Sequence, residues 1–558
     1  MKTIPLLLLD FYKVCHSEQY NPDIAYLVSY YTARMSRIKG QDTLINFGLQ
    51  YFCKHYLIET FNKYFFELSE EEVVNQYETV LDATLGKGSY NSDKVRTLHQ
   101  LGYLPLELAE IPEGTRVPIK VPMIQIKNTH PDFAWLTNTI ESLMSTTLWH
   151  IQVSANVGYE YRQIVNKWYW HTVDIDSPTE ENKVSAQARA LGDFSYRGQH
   201  SHESASASSS AFCLSFVNTA TVPAQMWLSE YYGAKLGDIK GAISTEHSVM
   251  CSNYTVDGNE RTLVKRLLTE IYPNHSFSMV SDSYDYWNML TNIVPSLYDE
   301  IMAHNGTLLI RGDSGDPVDI ICGIERTTYK SFEDLEHAIA QDSWLFTEGR
   351  RFLFRVADKD YTITITHDGY TFEPYHTSPE SKGTIELLWE TFGGTINNKG
   401  YKVLDKHVKA IYGDSITQER AKEIYRRLEK KGFSAENVVL GVGSFSFMCR
   451  QDDRGVLQPY TRDTYGIAVK ATYGELKDGT PIEIFKNPVT DTGNFKKSQK
   501  GMCYVCMSET GEISYMDGFT SASLPSTGNL LEPVFRDGKM VREYTLAEIR
   551  NRLHDGAF

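Results

Sequence analysis

The stretch that decides how this sequence is interpreted covers residues 306–317 and reads GTLLIRGDSGDP. Its apolar run LLI is typical of a short strand that is buried on both faces. The run stops at Arg311, and residues 311–315 then offer one guanidinium, one carboxylate, one hydroxyl and two glycines. Such a turn can hold an anion, a metal ion or a planar polar ligand. The alternative is an ordinary strand-to-helix turn, because Asp, Ser and Gly are also common turn formers.

The same pattern recurs beyond about residue 150, where apolar runs end in polar or glycine-rich turns that lead into helix-like segments. The other turns are SFVNTATVPA, ISTEHS, FSMVSDSYD, AIYGDSITQ and VVLGVGS. After AIYGD, Ser415 and Gln418 match a capping box, and Gly432 is suited to end the helix that follows. The repetition predicts an α/β fold with parallel strands, in a barrel or a doubly wound sheet. In both, ligands bind at the carboxyl ends of the strands, so the turns are predicted to converge on one site.

Composition restricts the function classes. A chain of 558 residues with 41% hydrophobic residues is long enough for two or three domains. Its net charge of -16 argues against nonspecific nucleic-acid binding, which requires a basic surface. No apolar segment approaches the ~20 residues of a membrane helix, so we expect no membrane association. The eight scattered cysteines fit a reducing, cytoplasmic location better than a disulfide framework.

The domain organisation is predicted from changes in pattern along the chain. We expect an α+β domain over residues 1–150, completed by residues 475–558, and an α/β domain over residues 151–474. Within it, residues 323–382 contain strand-like runs with period two, RFLFRV and YTITIT, and are predicted to form an inserted β-rich appendage. In the first domain, the run VPIKVPMIQI contains two prolines and is predicted to be a strand at a sheet edge.

A series of short motifs carries more information than any one of them. In chain order they are DFYK, DFSYRG, TEHS, SDSYD, IRGDSGDP, YGDS, GVGSF, TRDTYG, FKNPVTD and KKSQKG. Together they resemble the nicotinamide phosphoribosyltransferase family, and its bacterial-type sequences in particular. The resemblance implies the type II phosphoribosyltransferase fold, an irregular parallel α/β barrel. It also implies a homodimer that joins nicotinamide to 5-phosphoribosyl-1-pyrophosphate at sites on the subunit interface.

The resemblance assigns residues to the pyridine and the ribose. Phe194 is expected to stack on the nicotinamide ring, with Tyr12 of the partner subunit opposite, and Arg197 and Arg311 are expected to donate hydrogen bonds. Arg311 is placed at the amide oxygen. Asp282 and Asp313 are expected near the reacting carbon, where they would contact ribose, water and Mg²⁺.

The resemblance also assigns the phosphate groups. Gly413, Asp414, Gly443 and Ser444 match positions that hold the ribose phosphate. A basic cluster is expected to bind pyrophosphate across the dimer interface. Its members are Arg34, Arg462, Lys470, Lys486 and Lys496. His247 matches a histidine that ATP phosphorylates, which couples ATP hydrolysis to synthesis.

One departure from the family concerns the choice of pyridine. Ala220 stands where the family usually has an aspartate that accepts a hydrogen bond from the nicotinamide amide and repels nicotinate. Loss of that partner is expected to remove ~1 to 3 kcal/mol of discrimination, unless Asn218, Thr219 or Thr221 takes its place. The main alternative is therefore a phosphoribosyltransferase for nicotinate or another pyridine. Two further alternatives are a non-catalytic sensor of phosphoribosyl ligands and a phosphohydrolase that uses His247.

Overall fold

Two seven-stranded sheets, one parallel and one antiparallel, carry the fold in a computed structural model of the chain. The structure describes residues 3–174, 185–341, 351–356, 359–366, 369–375, 378–452, 454–486, 499–556 and 558. None of the helices in these ranges combines the length and apolar composition needed to span a bilayer.

The parallel sheet contains the apolar run of GTLLIRGDSGDP as its strand Leu308–Gly312. In spatial order its strands are Asn218–Thr219, Leu191–Asp193, Val438–Val442, Val408–Tyr412, Leu308–Gly312, Phe277–Val280 and Ile243–Ser244. The first strand also bridges the segment that leads into the last one, since Thr219 N donates to Lys240 O at 3.0 Å and Asn218 forms a parallel bridge with Lys240. The two edges therefore meet, and the sheet curls into an irregular barrel.

The predicted α/β class with parallel strands is confirmed. Leu308 and Ile310 are fully buried in the strand Leu308–Gly312, which lies between two parallel neighbours. Each of the six predicted turns follows a strand of this sheet. The seventh strand, Leu191–Asp193, is not predicted from the sequence because three residues are too few to show a periodic pattern.

Helices alternate with the parallel strands and cover the barrel. They are Glu141–Thr172, His202–Phe212, Val222–Tyr232, His247–Asp257, Arg261–Arg266, Tyr286–Asn288, Tyr298–Ala303, Pro317–Cys322, Pro379–Lys382, Thr384–Phe392, Gln418–Lys430 and Phe445–Met448. The helix Gln418–Lys430 ends before Gly432 (φ 74°), as predicted, but the predicted cap at Ser415 is wrong. Thr417 caps the helix by accepting from Arg420 N, and Ser415 (φ 55°) belongs to the preceding turn.

The antiparallel sheet joins the two ends of the chain. In spatial order its strands are Pro481–Glu483, Ala468–Leu476, Ile24–Thr32, Pro122–Asn128, Leu106–Glu110, Glu532–Arg536 and Lys539–Met540. The run VPIKVPMIQI was predicted to be one strand at a sheet edge, and this prediction is wrong. The run divides between the short strand Arg116–Pro118 and the central strand Pro122–Asn128. Pro122 is tolerated there since it is the first residue of its strand.

Helices of the terminal regions pack beside this sheet. They are His16–Gln19, Leu49–Tyr51, Glu70–Thr84, Asp93–Leu101, Leu136–Thr139 and Leu546–Leu553, with π-helical turns over Phe52–Thr60 and Asn62–Phe66. Three two-stranded ribbons pair Thr43–Ile45 with Arg116–Pro118, Cys449–Gln451 with Leu457–Pro459, and Met502–Met507 with Ile513–Phe519. A fourth pairs Gly394–Ile396 with Lys402–Leu404.

A four-stranded sheet forms a separate small layer. Its strands are Arg326–Tyr329, Arg351–Val356, Lys359–Thr366 and Gly369–Pro374, and the helix Phe332–Gln341 packs on it. Leu335, Phe354 and Ile363 belong to a core of its own, separate from the main core. The chain leaves and re-enters the barrel at two touching glycines, since a Cβ at Gly383 would lie 2.1 Å from Gly323 N. The layer is therefore connected to the barrel at one narrow point.

Candidate active site

A cavity of about 590 Å³ opens at the carboxyl ends of the parallel strands. Four different strands supply the turns that line it, which confirms that the barrel brings the ends of distant segments together. The lining residues that were also predicted as site residues are Phe194, Arg197, Arg311, Asp313, Gly413, Asp414, Gly443 and Ser444.

Arg311 is fixed at the end of the strand Leu308–Gly312. Its Nη2 donates to Asp313 Oδ2 at 2.9 Å and its Nη1 donates to Ser244 Oγ at 3.3 Å. The third nitrogen, Nε, is buried and has no hydrogen-bond partner among the described residues. A buried N–H without a partner is costly, which makes the Arg311 guanidinium a candidate donor to an acceptor group.

A second chain of contacts connects the carboxylates with His247. Asp282 is buried, with 4% of its side chain exposed, and its Oδ2 accepts from Asp313 N at 3.1 Å. Its Oδ1 lies 3.3 Å from His247 Nε2, and within the described part of the chain it has no hydrogen-bond partner. His247 is the first residue of the helix His247–Asp257, and about half of its side chain is exposed. One carboxylate therefore touches both the turn of Asp313 and a solvent-accessible imidazole.

The ring of Phe194 lies against bare backbone. A Cβ at Gly413 would be 2.8 Å from the ring, and a Cβ at Gly441 would be 2.5 Å from it. Real Cβ atoms do not approach so closely, so these two positions require glycine for the ring to lie where it does. The ring is half-buried and lines the cavity, which is the arrangement expected for a stacking platform.

Another part of the cavity wall is formed by the turns after Tyr412 and Val442. Ser444 packs against Gly198, where any Cβ would lie 2.0 Å from Ser444 Oγ, so two motifs distant in sequence are in contact. The same wall contains the first turn of the helix Gln418–Lys430. Free backbone amides of a helix start and glycine turns suit a phosphate group.

Position 220 contains no carboxylate in this chain. Ala220 is exposed, and its backbone N donates to Asp193 O at 2.8 Å. The two neighbouring threonines are already engaged, because Thr219 and Thr221 both donate their hydroxyls to Asp193 Oδ2. Asn218 donates its side-chain amide to Arg189 O. The predicted substitutes for the missing aspartate are therefore held by protein contacts.

Three of the predicted basic residues, Arg34, Arg462 and Lys470, lie on or beside the antiparallel sheet, and none of the three is among the described residues that line the cavity. Partial burial lowers the pKa of Lys470, and three neighbouring cations lower it further. These cations are Arg34, Lys13 and Arg462. Glu141 offsets part of the charge, since it accepts from Lys13 Nζ at 2.8 Å and lies 4.0 Å from Lys470 Nζ.

Three further predicted residues are separate from the cavity or outside the described part of the chain. Tyr12 is 65% exposed and packs against His16 of its own chain. Lys486 is exposed. Lys496 falls outside the described residues.

Two parts of the site are not predicted by the sequence. Ser244 accepts from Arg311 and from Ser278 Oγ (2.6 Å), yet a lone serine in a turn gives no signal. Gly441 is visible within GVGS, but its need to be glycine comes from the ring of Phe194, far away in sequence.

Comparisons with known proteins show the family of the chain. The model of the nicotinate phosphoribosyltransferase (NAPRTase) family matches residues 190–538, and that of the nicotinamide phosphoribosyltransferase N-terminal domain matches residues 5–87. A nicotinamide phosphoribosyltransferase from Acinetobacter baylyi is 36% identical over 98% of this chain and 97% of its own length. One from Mycoplasma pneumoniae is 28% identical over 87% of this chain and 92% of its own length.

A solved structure supports the fold alone. The nicotinate-nucleotide pyrophosphorylase from Pyrococcus furiosus superimposes with a TM-score of 0.53 at 12% identity, covering 100% of this chain and 96% of its own. The predicted resemblance is thus confirmed by sequence and its fold class by structure. The chain belongs to the nicotinate phosphoribosyltransferase family and carries the N-terminal domain of nicotinamide phosphoribosyltransferases.

Proposed function

We propose that this protein transfers the phosphoribosyl group of 5-phosphoribosyl-1-pyrophosphate to nicotinamide, giving nicotinamide mononucleotide and pyrophosphate in NAD salvage. The observation that carries the proposal is the single cavity in which Phe194, Arg311 and Asp313 meet glycine-rich phosphate turns. Those groups match the three parts of the product, which are a flat pyridine, a ribose and a phosphate. The 36% identity with the Acinetobacter relative over almost the whole chain supports the same activity.

The pyridine is proposed to stack on Phe194. The ring presents a flat apolar surface to the cavity because glycines support it from behind. Arg311 also lines the cavity, and its guanidinium is the proposed donor to the carboxamide oxygen. Arg197 lies on the turn that follows Phe194, lines the same cavity and is proposed as a second donor.

The reaction requires charge placement more than a nucleophilic side chain. As the bond between the anomeric carbon and pyrophosphate breaks, positive charge develops on the ribose and negative charge on the leaving group. Asp313 lines the cavity and Asp282 supports its turn, so both are proposed to stabilise the ribose side. The nicotinamide ring nitrogen attacks the same carbon and forms the new bond.

Mg²⁺ fits this site as an ion bound by one or two carboxylates together with water and substrate phosphates. Within the described ranges, no group of three or more His, Cys, Asp or Glu side chains lies close enough to hold an ion alone. Mg²⁺ typically binds in this partial way beside phosphates and offsets their charge. Asp282 and Asp313 are the proposed protein ligands, directly or through water.

Pyrophosphate is proposed to bind cations from a partner subunit in a homodimer. The cavity of one chain contains Arg197, Arg311 and Arg420 but lacks the cluster around Lys470, which lies on the other sheet. Tyr12 is exposed and is proposed to cover the free face of the pyridine in the partner's site. Both features are explained if each active site is completed by the second copy.

ATP is proposed to act as a co-substrate that phosphorylates His247. The imidazole is accessible, begins a helix whose amides favour an anion, and lies beside Asp282. Its phosphorylation would add negative charge next to the carboxylate that supports Asp313. His247→Ala is expected to abolish the ATP-dependent increase in product while leaving the basal reaction.

A second candidate substrate is favoured by one observation. Position 220 has no carboxylate to repel nicotinate, and the adjacent threonine hydroxyls are occupied by Asp193. We therefore expect weaker selectivity for nicotinamide over nicotinate than an aspartate would give. Ala220→Asp is expected to raise the selectivity about tenfold, the value of one buried hydrogen-bonding partner.

One experiment tests both substrates. The protein is incubated with 5-phosphoribosyl-1-pyrophosphate, Mg²⁺ and either nicotinamide or nicotinate, with and without ATP, and the mononucleotide is identified. Nicotinamide mononucleotide is the expected main product. Nicotinate mononucleotide alone would assign the second candidate, and no mononucleotide from either base would leave the sensor or phosphohydrolase alternatives. Release of phosphate from ATP without transfer would identify the phosphohydrolase.

A cytoplasmic location is proposed as well, since the eight cysteines are all free.

A further inference from the structure

Asp193 has no direct role in the reaction proposed above, yet its carboxylate accepts four hydrogen bonds beside Phe194. It is fully buried and precedes Phe194 at the end of the strand Leu191–Asp193. Oδ1 accepts from the backbone N of Ser195 at 3.0 Å and from its Oγ at 2.5 Å. Oδ2 accepts from Thr219 Oγ1 at 2.6 Å and from Thr221 Oγ1 at 2.9 Å. All four partners donate, so the group acts only as an acceptor, as an ionised carboxylate does.

These bonds connect two turns that come from different strands. One turn contains Phe194 and Arg197, and the other contains Ala220. Only the two Oδ2 bonds span the turns, since the Oδ1 bonds to Ser195 stay within the first turn. The backbone of Asp193 adds a third link, because its carbonyl accepts from Ala220 N at 2.8 Å. The stacking ring and the residue at position 220 are therefore tied through one side chain.

The sheet alone gives this junction little support. The strand Asn218–Thr219 has two residues, and only two residue pairs join it to Leu191–Asp193. So short a ladder leaves the register of the two turns weakly specified. The hydroxyls of Thr219 and Thr221 on one buried carboxylate add to this ladder, and Ser195 holds the same carboxylate from the first turn. A buried charge is stable only while its partners are in place.

We propose that Asp193 is a positioning residue for pyridine recognition, which sets the ring of Phe194 against position 220 and so decides how the carboxamide end of the substrate is oriented. This inference rests on the proposed function. It predicts an effect on pyridine affinity and pyridine choice, because the first turn lines the cavity with Phe194 and Arg197 and the second contains position 220, which the family resemblance assigns to the carboxamide. The phosphate turns at Gly413 and Gly443 make no contact with the carboxylate in the described hydrogen bonds and are expected to keep their function.

The main test is Asp193→Asn, which keeps the shape and removes the charge. We expect the KM for nicotinamide to rise about tenfold and the ratio of nicotinamide to nicotinate turnover to change about threefold, since small displacements of a bound ring have large effects. The KM for 5-phosphoribosyl-1-pyrophosphate is expected to stay within about twofold. Thr219→Val is a second variant, which removes one donor with almost no change in shape and is expected to give a smaller change in the same direction.

Ser210→Ala is the matched control. Its hydroxyl is fully buried and bonds Ser206 O and Ala224 O, without contact to Asp193. It is expected to lower thermal stability but to leave the KM for nicotinamide and the pyridine ratio unchanged. An equal shift in this control would overturn the inference, as would an equal rise in the KM for 5-phosphoribosyl-1-pyrophosphate in Asp193→Asn.

The outcomes separate this inference from the proposed function. If the unmodified protein forms no mononucleotide from either pyridine, the proposed function fails and the inference fails with it. If the unmodified protein is active and both variants keep its KM and its pyridine ratio, only the inference fails. If Asp193→Asn does not fold, Thr219→Val decides, and an unchanged KM and ratio in that variant overturn the inference.

Discussion

The two seven-stranded sheets handle charge in opposite ways. The parallel sheet presents Asp282, Asp313 and Arg311 at its strand ends, where they contact one another around a cavity. The antiparallel sheet gathers cations near Lys470 and hides the carboxylates of Glu110 and Glu113 in its interior. The ends of parallel strands converge, so they can form a site within one chain. The cations of the antiparallel sheet are proposed to bind the pyrophosphate in the active site of the partner subunit. Under the proposed function, one half of the site, the folded half, forms within one chain, and the other, the assembled half, is supplied by the partner subunit.

The largest expected effect tests the folded half. Asp313→Asn is expected to lower kcat about 10²- to 10³-fold, because the variant removes a preorganised charge next to the developing cation. Asp316→Asn is the matched control on the same turn. Asp316 caps the helix Pro317–Cys322 through Val318 N, and asparagine is an equally good cap. Steady-state kinetics on both variants would contradict the assignment if the losses were equal.

The support of Phe194 is tested next. Gly441→Ala places a Cβ where the ring now lies, at 2.5 Å, so the ring must move. We expect the KM for nicotinamide to rise about tenfold with little change in the KM for 5-phosphoribosyl-1-pyrophosphate. Gly241→Ala is the control, since nothing lies within 4 Å of its added Cβ. An unchanged KM in Gly441→Ala would show that the ring is not a stacking platform.

The assembled half is tested at Lys470. Lys470→Ala is expected to raise the KM for 5-phosphoribosyl-1-pyrophosphate about tenfold, and added salt is expected to weaken the difference. Lys477→Ala, on the exposed turn after the same strand, is expected to change little. Because the pKa of Lys470 is lowered, its charge is lost at a lower pH than that of an ordinary lysine. Lys470→Arg should therefore keep substrate affinity to higher pH in a pH profile, and an identical alkaline limb would contradict the assignment.

The smallest expected effect concerns the hidden carboxylates. Burial raises the pKa of Glu113 to about 7, from an ordinary value of 4.5. The folded state therefore binds the proton more tightly, so this contribution to stability is complete below about pH 4.5 and is lost as pH rises to about 7. Glu113→Gln is expected to remove this slope and to gain on the order of 1 kcal/mol relative to the unmodified protein at pH 8.

An exposed glutamate with the opposite shift is the control for that measurement. Hydrogen bonds from Thr545 lower the pKa of Glu548, so its contribution is present at neutral pH and lost as pH falls. Glu548→Gln should therefore reduce stability at pH 7 and approach the unmodified protein in acid. Denaturant unfolding at several pH values measures both, and parallel curves for Glu113→Gln and the unmodified protein would contradict the first expectation.

Much of the barrel could be predicted from the sequence because its strands are buried on both faces. Runs such as the LLI of residues 308–310 are continuous and apolar for that reason, and each stops where the chain reaches the polar end of the sheet. The motifs in these turns also predicted the family, which the comparisons confirm. The assignment of individual site residues and the division into domains stay predictions.

Local signals were less reliable where tertiary contacts compete with them. The capping pattern of Ser415 and Gln418 matches the sequence rule, but Ser415 Oγ bonds Asp414 and the cap moves to Thr417. The prolines at positions 118 and 122 indicate a sheet edge. A central strand also tolerates proline as its first residue, which is the position of Pro122. In both cases the sequence permits two arrangements, and packing selects one.

The sequence by itself determined the parallel α/β class, the order of the turns and the absence of a carboxylate at position 220. Only the tertiary structure decided that Gly413 and Gly441 lie beneath Phe194, that Ser244 meets Arg311, and that Asp193 ties two turns together. The physical reason is that apolar periodicity reports on burial along one segment. A contact between segments depends on where the barrel closes, and no single segment contains that information.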